Sequence, residues 1–313
     1  MLEPCAENVA PGLTQLVTMD GSPSSVVANQ QYVYFALGDE VYRSPTDGGC
    51  AELVHRAPNP VWAMALGGER VFVASEGRGR ALVQSFDQIA LDDIERHWSL
   101  EASSVVGVTE LVVAGGQLYL QQGVGVLRVD IDSGATASIE SSLAGTPRSL
   151  AAVGDRVYWT SGARAPMRDV DPWLGLGIES VGGNDEVELV SEAPCYELAA
   201  SSAGVFCSSA PTLSDEGECV GGYGTLLQIA ADGSVSEPPL EPVGHLAAGS
   251  DTLFVSEYRN QVAALEIASL GQAEPLAEAD AYAYALTTNG NSAYYVTEQD
   301  GTWSIWALAP VVP

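Results

Sequence analysis

The chain has 313 residues, 46% of them hydrophobic, and no apolar run reaches the roughly 18 residues that a membrane-spanning helix needs. Its 41 acidic residues face 12 basic ones, all of them arginine, so the formal net charge is -29. Nucleic acid and anionic membranes would repel such a charge, and the composition therefore excludes both as partners. The charge indicates either solubility in a salty medium or attraction for cations, whether metal ions or a basic partner.

A ten-residue phrase recurs seven times, and its clearest copy is Leu150-Ala-Ala-Val-Gly-Asp-Arg-Val-Tyr158-Trp159. The ninth position of each copy is aromatic, and successive copies lie 38 to 48 residues apart. These ninth positions are Tyr34, Phe72, Tyr119, Tyr158, Phe206, Phe254 and Tyr294. A period of this size is the signature of a repeat array.

Each copy predicts two short strands joined by a Gly-, Asn- or Asp-rich turn, and an alternating third strand follows, as at 125–131. A more polar fourth strand closes most units, as at 51–55 and 186–190. Four antiparallel strands per repeat indicate a blade of a β-propeller.

The predicted fold is therefore an all-β, seven-bladed β-propeller that forms one domain over residues 1–313. Its blades are predicted at 23–57, 60–101, 105–142, 146–192, 195–239, 243–278 and 282–309. The last unit has only three strands, and the segment 13–17 belongs to no blade of its own. We expect this segment to complete blade seven and close the ring, which removes exposed strand edges.

Two insertions interrupt the repeat, at 162–176 in blade four and at 209–223 in blade five. Both fall between a second and a third strand, so they are predicted on the face where the connections enter the first strands. Ligands usually bind propellers on that face, although drift in tolerated loops would produce the same insertions.

The segment Arg156-Val-Tyr-Trp-Thr160 resembles the repeat of YWTD-like propellers, and the phrase as a whole resembles bacterial extracytoplasmic propellers of the TolB and NHL groups. The resemblance implies a periplasmic, secreted or cell-surface protein that binds a protein, a peptide or a glycan. The chain begins Met1-Leu-Glu-Pro-Cys5, so no signal peptide is expected in this sequence.

The alignment of the copies places Glu110, Glu197 and His245 just before three of the first strands, where they would point toward the central axis. Two carboxylates and an imidazole suit a divalent cation such as calcium, manganese or zinc, and they also suit acid–base catalysis. The alternative is that they are solvated residues at the rim.

One position earlier in the copies stand Trp62, Arg148, Tyr196 and Tyr284. Their aromatic faces suit a sugar ring or an apolar peptide side chain, and these four residues are the predicted ligand-binding set. Packing between blades is the alternative for each aromatic.

The five cysteines are consistent with an oxidising compartment. Cys5 and Cys50 are predicted on one face of adjacent blades, where a disulfide would hold the ring closed. Two of Cys195, Cys207 and Cys219 are expected to pair. Cys219 is expected to be in the pair, as in Cys207–Cys219, where the bond would anchor the second insertion. The third thiol would then be free.

Signatures of classical enzymes are sparse, since the sequence has no phosphate loop, no His-Glu-x-x-His and no Gly-x-Ser-x-Gly. The sequence thus favours a monomeric, non-catalytic propeller with no firmly expected cofactor. The alternative function is a metal-dependent hydrolase or lyase working at Glu110, Glu197 and His245.

Overall fold

The computed structural model describes the chain except for residues 1, 4–6, 11, 78–79, 89–95, 102–109, 123–124, 144, 165–172, 184–185, 210–223, 231–232, 239–242, 258–260, 267–273, 279–282 and 310–313. The described residues form thirty β-strands arranged in seven antiparallel sheets. This confirms the predicted seven-bladed β-propeller. The described part of the chain contains no helix with the length and apolar character needed to span a membrane.

The strands follow one another in chain order, four to a blade, with the innermost strand first. Three strands precede blade 1: β1 (Leu2–Glu3), β2 (Glu7–Ala10) and β3 (Leu13–Met19). Blade 1 contains β4 (Ser25–Ala28), β5 (Tyr32–Leu37), β6 (Glu40–Pro45) and β7 (Glu52–Arg56). Blade 2 contains β8 (Val61–Gly67), β9 (Arg70–Gly77), β10 (Arg80–Asp87) and β11 (Arg96–Glu101).

Blade 3 contains β12 (Leu111–Ala114), β13 (Gln117–Gln122), β14 (Gly125–Asp130) and β15 (Thr136–Glu140). Blade 4 contains β16 (Thr146–Val153), β17 (Arg156–Arg164), β18 (Trp173–Val181) and β19 (Val187–Ser191). Blade 5 contains β20 (Cys195–Ser201), β21 (Gly204–Ser209), β22 (Leu226–Ile229) and β23 (Val235–Ser236).

Blade 6 contains β24 (Val243–Ala248), β25 (Thr252–Glu257), β26 (Gln261–Glu266) and β27 (Glu274–Glu278). Blade 7 contains β28 (Ala283–Thr288), β29 (Ala293–Gln299) and β30 (Thr302–Leu308).

The outermost strand of blade 7 is β3, which pairs with β30 from Leu13 opposite Leu308 to Met19 opposite Trp303. The predicted ring closure is confirmed, and the closing strand extends two residues beyond the predicted 13–17. The sequence did not predict β1 and β2, which both pair with β3 and extend this sheet to six strands.

The core lies between the blades, because both faces of each twisted sheet pack against a neighbouring sheet. Seven clusters of buried apolar side chains among the described residues each join two adjacent blades. One of them joins Leu16 and Tyr294 of blade 7 to Phe35 of blade 1, so the ring is closed by packing as well as by strand pairing.

We call the side of the ring at which the innermost strands begin the front face, and the opposite side the back face. The first insertion lies on the front face and is partly regular, because Gly162–Gly175 and Arg164–Trp173 are paired positions of an extended β17–β18 hairpin. The tip of this insertion, 165–172, lies outside the described residues, as does 210–223 of the second insertion.

Candidate functional site

A cavity of about 250 Å³ lies on the axis of the ring, where the seven innermost strands converge. Each of the seven blades contributes at least one lining residue, from Val26 in blade 1 to Leu286 in blade 7. Its polar residues come from the aligned rim position: Ser25, Glu110, Ser149 and Glu197. Five leucines from the innermost strands of blades 3 to 7 also line it: Leu111, Leu150, Leu198, Leu246 and Leu286.

β-Bulges set the direction of several rim residues. The pairing between the first two strands shifts between Cys195 and Glu197 in blade 5 and between Val243 and Leu246 in blade 6. Glu197 and His245 therefore lie inside their strands, not just before them as predicted. A bulge bends its strand and re-aims a side chain, and here the His245 N–H that leaves the ladder donates to Ser256 Oγ at 2.8 Å.

The rim residues also connect neighbouring blades through hydrogen bonds. Ser149 Oγ accepts from the N–H of Leu198 at 3.0 Å, and Glu197 Oε1 accepts from the N–H of Leu246 at 3.2 Å. Glu110 Oε2 accepts from the N–H of Leu150, and Ser25 Oγ accepts from the N–H of Met64 in the same way. Each of these four rim side chains thus holds the innermost strand of the next blade, a structural role that sequence analysis missed.

The structure brings Glu197 and His245 into direct contact, with 2.8 Å between Glu197 Oε2 and His245 Nδ1. Burial of the ring opposes protonation of His245, but the charge of Glu197 and its hydrogen bond outweigh that effect and raise the His245 pKa. The pair therefore favours a positively charged imidazole beside a negatively charged carboxylate.

Glu110 lines the same cavity but has a different protonation state. Burial among the innermost strands, together with the negative charge of Glu197, raises the Glu110 pKa to about 8. The N–H of Leu150, Ser149 and the charge of Arg148 act in the opposite direction without cancelling this shift. Near neutral pH, Glu110 is accordingly a protonated acid in the cavity wall.

A metal site on Glu110, Glu197 and His245 stays a prediction. Among the described residues, no group of three His, Cys, Asp or Glu side chains is arranged to hold a metal ion. Glu197 Oε1 accepts a hydrogen bond from Leu246, and Glu197 Oε2 contacts His245. Glu110 Oε2 accepts a hydrogen bond from the N–H of Leu150.

The four residues of the predicted ligand-binding set have different environments. The guanidinium of Arg148 lies 4.5 Å from the centroid of the Tyr196 ring, a cation–π pair across two blades. Tyr284 is 44% exposed and contacts Trp303, with 4.8 Å between ring centroids. Trp62 is partly buried and packs against the cluster between blades 2 and 3, which corresponds to the packing alternative for this residue.

The base of the second insertion is tied to the same rim. Gly224 and Val243 exchange two backbone hydrogen bonds, at 2.9 and 2.7 Å, just before His245 in the chain. A Cβ at position 224 would collide with the carbonyl oxygen of Ser209, so only glycine fits this close approach. The second insertion therefore leaves the ring at the rim between blades 5 and 6.

The disulfides differ in part from the expectation. Cys195 is bonded to Cys207, its neighbour across the first hairpin of blade 5, so the predicted participation of Cys219 in this pair is wrong. The bulge after Cys195 brings the two side chains together, and no spacing rule in the sequence indicates it. Cys50 is disulfide-bonded, whereas Cys5 and Cys219 lie outside the described residues.

Sequence analysis also missed Glu179, a buried carboxylate in β18 with no exposed area. It accepts from the N–H and hydroxyl of Ser142 at 2.6 Å each, from Trp159 Nε1 at 2.9 Å and from Ser161 Oγ at 3.0 Å. It also accepts from the Ser141 hydroxyl. Burial alone would raise the Glu179 pKa, but these donors outweigh burial and lower it.

No protein-family model and no curated protein matches this chain. Among solved structures, a catalytically inactive virginiamycin B lyase from Staphylococcus aureus with quinupristin aligns with a TM-score of 0.68 and 12% identity, over 99% of this chain and 100% of that one. The WD40 repeats of RRP9 align with a TM-score of 0.68 and 9% identity, over 99% of both chains.

The β-propeller domain of Cps50 (Swd1) from Myceliophteria thermophila aligns with a TM-score of 0.63 and 11% identity, over 93% of this chain and 99% of that one. At such identities the similarity establishes the fold alone. The chain is a seven-bladed β-propeller whose structural neighbours include both a lyase and the WD40 repeats of RRP9.

Proposed function

We propose that this propeller is a non-catalytic binding module that holds a protein or peptide ligand on its front face. The most direct support comes from the exposed Tyr284 and from the Arg148–Tyr196 pair, whose two members immediately precede the cavity-lining residues Ser149 and Glu197. Aromatic and arginine side chains are the residues that contribute most to binding at protein interfaces. Both insertions emerge on this face.

The charge of the chain narrows the ligand class. With a net charge of -29, the chain would attract a basic protein or peptide and repel an acidic one. The WD40 neighbours support a protein partner, because propellers of that kind commonly mediate protein interactions. The Cys195–Cys207 disulfide supports an extracytoplasmic location, where such bonds persist.

Substitution of the rim aromatics is expected to weaken ligand binding. A peptide array would first identify a ligand, and its affinity would then be measured for Tyr196→Ala and Tyr284→Ala by calorimetry. We expect each variant to lose about tenfold in affinity, as removal of an aromatic anchor does.

The matched control is Tyr32→Ala on the back face, where Arg43 lies 4.3 Å from the Tyr32 ring centroid in a similar cation–π pair. The control should bind like the unsubstituted protein. Equal losses in all three variants, or a glycan array that yields the only ligands, would count against a front-face peptide site.

A second candidate function is a hydrolase or lyase at the channel mouth, with or without a divalent metal. The contact between Glu197 and His245 and the raised pKa of Glu110 support it, because a carboxylate–imidazole pair that can exchange a proton lies at the same rim as a protonated acid. If this candidate is correct, His245→Ala should reduce turnover of a substrate found by screening at least about a hundredfold. Stabilisation by calcium, manganese or zinc that disappears in Glu197→Ala would identify the metal-dependent form, and activity that survives His245→Ala would exclude both forms.

A further inference from the structure

The turn between β28 and β29, on the back face of blade 7, contains Asn289-Gly290, the one Asn-Gly pair in the sequence. The amide carbon of an asparagine can be attacked by the backbone nitrogen of the next residue, and glycine permits this most readily because it has no Cβ to shield that nitrogen. In the described part of the chain, nothing but the sequence neighbours of Gly290 lies within 4 Å of where its Cβ would stand. Asn289 and Gly290 are both partly exposed, so water reaches the turn.

Thr288 restrains the nitrogen that would attack. The N–H of Gly290 donates to Thr288 Oγ1 at 2.9 Å, and the Thr288 hydroxyl donates to the carbonyl of Ser292 at 2.8 Å. The backbone nitrogen must lose its proton to attack the amide, and a hydrogen bond that holds the proton opposes this loss. The closed turn therefore disfavours the reactive form of Gly290.

The side chain of Asn289 is held at both its oxygen and its nitrogen. Oδ1 accepts from the N–H groups of Asn291 and Ser292 at 3.0 and 2.9 Å, and Nδ2 donates to the hydroxyl of Tyr294 at 2.9 Å. The same hydroxyl is hydrogen-bonded with Thr46 of blade 1. The amide that would react is thus tied to the junction between blades 7 and 1.

The turn also packs against blade 6. A Cβ at Gly249, which follows β24, would collide with the carbonyl oxygen of Gly290, so the two backbones lie in direct contact. The Asn289-Gly290 turn consequently lies where blades 6, 7 and 1 meet. An additional backbone atom in this turn would have no room beside Gly249.

We propose that Asn289 is a deamidation site that the closed ring protects and that reacts in molecules whose blade 7 has opened. In the reaction the Gly290 nitrogen bonds to Asn289 Cγ, the Cγ–Nδ2 bond breaks, and Nδ2 leaves as ammonia with the proton of the Gly290 nitrogen. Water then opens the resulting five-membered imide at either carbonyl, which gives aspartate or isoaspartate. The net change is the uptake of water and the release of ammonia.

The product hinders the return to the closed turn. Isoaspartate inserts one carbon into the backbone before Gly290, where Gly249 leaves no space. Both products also lose the Nδ2 donor that faces the hydroxyl of Tyr294, a residue only 1% exposed. The modification would thus mark molecules that have opened and keep their blade 7 from closing normally.

The test incubates the whole chain at mildly alkaline pH and quantifies deamidation and isoaspartate at Asn289 by peptide mass spectrometry. A peptide of residues 288–292 is the unfolded reference. We expect the native chain to react at least about tenfold more slowly than the peptide, and to approach the peptide rate when urea unfolds it, because reaction requires local opening. Equal rates in the native chain and the peptide would overturn the proposal.

Variants of Thr288 test the protection within the turn. Thr288→Val removes the acceptor for the N–H of Gly290 and should raise the Asn289 rate about threefold, the effect of one net hydrogen bond. Thr288→Ser keeps the hydroxyl and should react like the unsubstituted chain. If valine and serine give the same rate, Thr288 does not protect this site.

Two buried leucines separate opening of blade 7 from general loss of stability. Leu16 lies in the cluster between blades 7 and 1, and Leu118 lies in the cluster between blades 2 and 3; neither has exposed area. Leu16→Ala should raise the Asn289 rate at least about tenfold and Leu118→Ala less than about threefold, because only the first loosens ring closure. Equal acceleration by both would contradict protection by the closed ring.

A milder substitution covers the case in which Leu16→Ala does not fold. Ser304→Ala removes the side-chain hydrogen bond from Gln15 that joins β3 to β30. We expect about a threefold increase in the Asn289 rate from the loss of this bond. An unchanged rate in Ser304→Ala, with ring closure measurably weakened by hydrogen exchange in β30, would overturn the coupling to ring opening.

Discussion

Replacement of Glu110 by glutamine is expected to make the protein more stable at alkaline pH. The folded-state pKa of this carboxyl is raised to about 8, whereas an unfolded chain would ionise near the ordinary value of 4.5. Its contribution to stability is therefore complete below pH 4.5 and is lost as the pH rises toward 8. A glutamine cannot ionise and keeps an oxygen for the N–H of Leu150, so the loss should disappear.

The measurement is urea unfolding of both proteins at intervals from pH 5.5 to pH 8.5. The stability difference in favour of Glu110→Gln should widen by on the order of 2–3 kcal/mol over this range, less than the full shift implies because the rim opens toward solvent. The pKa of His245 is also raised, so its contribution to stability is also lost as the pH rises, in both proteins alike.

The control is Glu140→Gln, which makes the same replacement on the exposed surface of β15. This control should follow the pH profile of the unsubstituted protein. If the Glu110 variant and the control change stability in parallel at every pH, Glu110 is ionised in the folded state and the rim is more polar than its geometry indicates.

Replacement of Glu179 by glutamine is expected to have the opposite effect and to destabilise the protein by roughly 3–5 kcal/mol near neutral pH. The carboxylate is fully buried, and it is the acceptor in its hydrogen bonds with residues such as Ser142 and Trp159. The amide group of glutamine would turn its own N–H bonds toward those donors and leave several of them unsatisfied.

The acid side of the stability curve gives a second readout for Glu179. Its pKa is lowered in the folded protein, so its contribution is present above the unfolded value of 4.5 and is lost as the pH falls through the folded value. Urea unfolding between pH 7 and pH 3 should show this acid loss in the unsubstituted protein and a shallower one in Glu179→Gln. A variant within about 1 kcal/mol of the unsubstituted protein at pH 7 would mean that the network is dispensable.

The repeat predicted the fold because its period and strand pattern are local features of the sequence. The aromatic ninth position marks the second strand of each blade, and the three-stranded last unit required β3 to close the ring. The alignment also placed Ser25, Glu110, Ser149 and Glu197 together, and all four line the axial cavity. The symmetry of the repeat alone is sufficient to predict the blades, the ring closure and these rim positions.

Contacts that depend on how one blade is staggered against the next could not be predicted. The bond from Leu246 N–H to Glu197 crosses between blades at a bulge, and neither the bulge nor the stagger has a signal in the sequence. Glu179 was missed for the same reason, because its donors Ser141 and Ser142 come from the preceding connection.

The pairing of β3 with β30 also sets a condition on how this protein acquires its structure. The side chains of Gln15 and Ser304 in these strands are hydrogen-bonded at 3.0 Å across 289 positions of sequence. Blades 1 to 6 can each form from contiguous chain, but blade 7 must wait until residues 302–308 have left the ribosome. Contacts of such long sequence separation form slowly, so the edge of β3 that receives β30 stays unpaired through most of synthesis. Ring closure is therefore the step at which misassembly between copies would compete with folding.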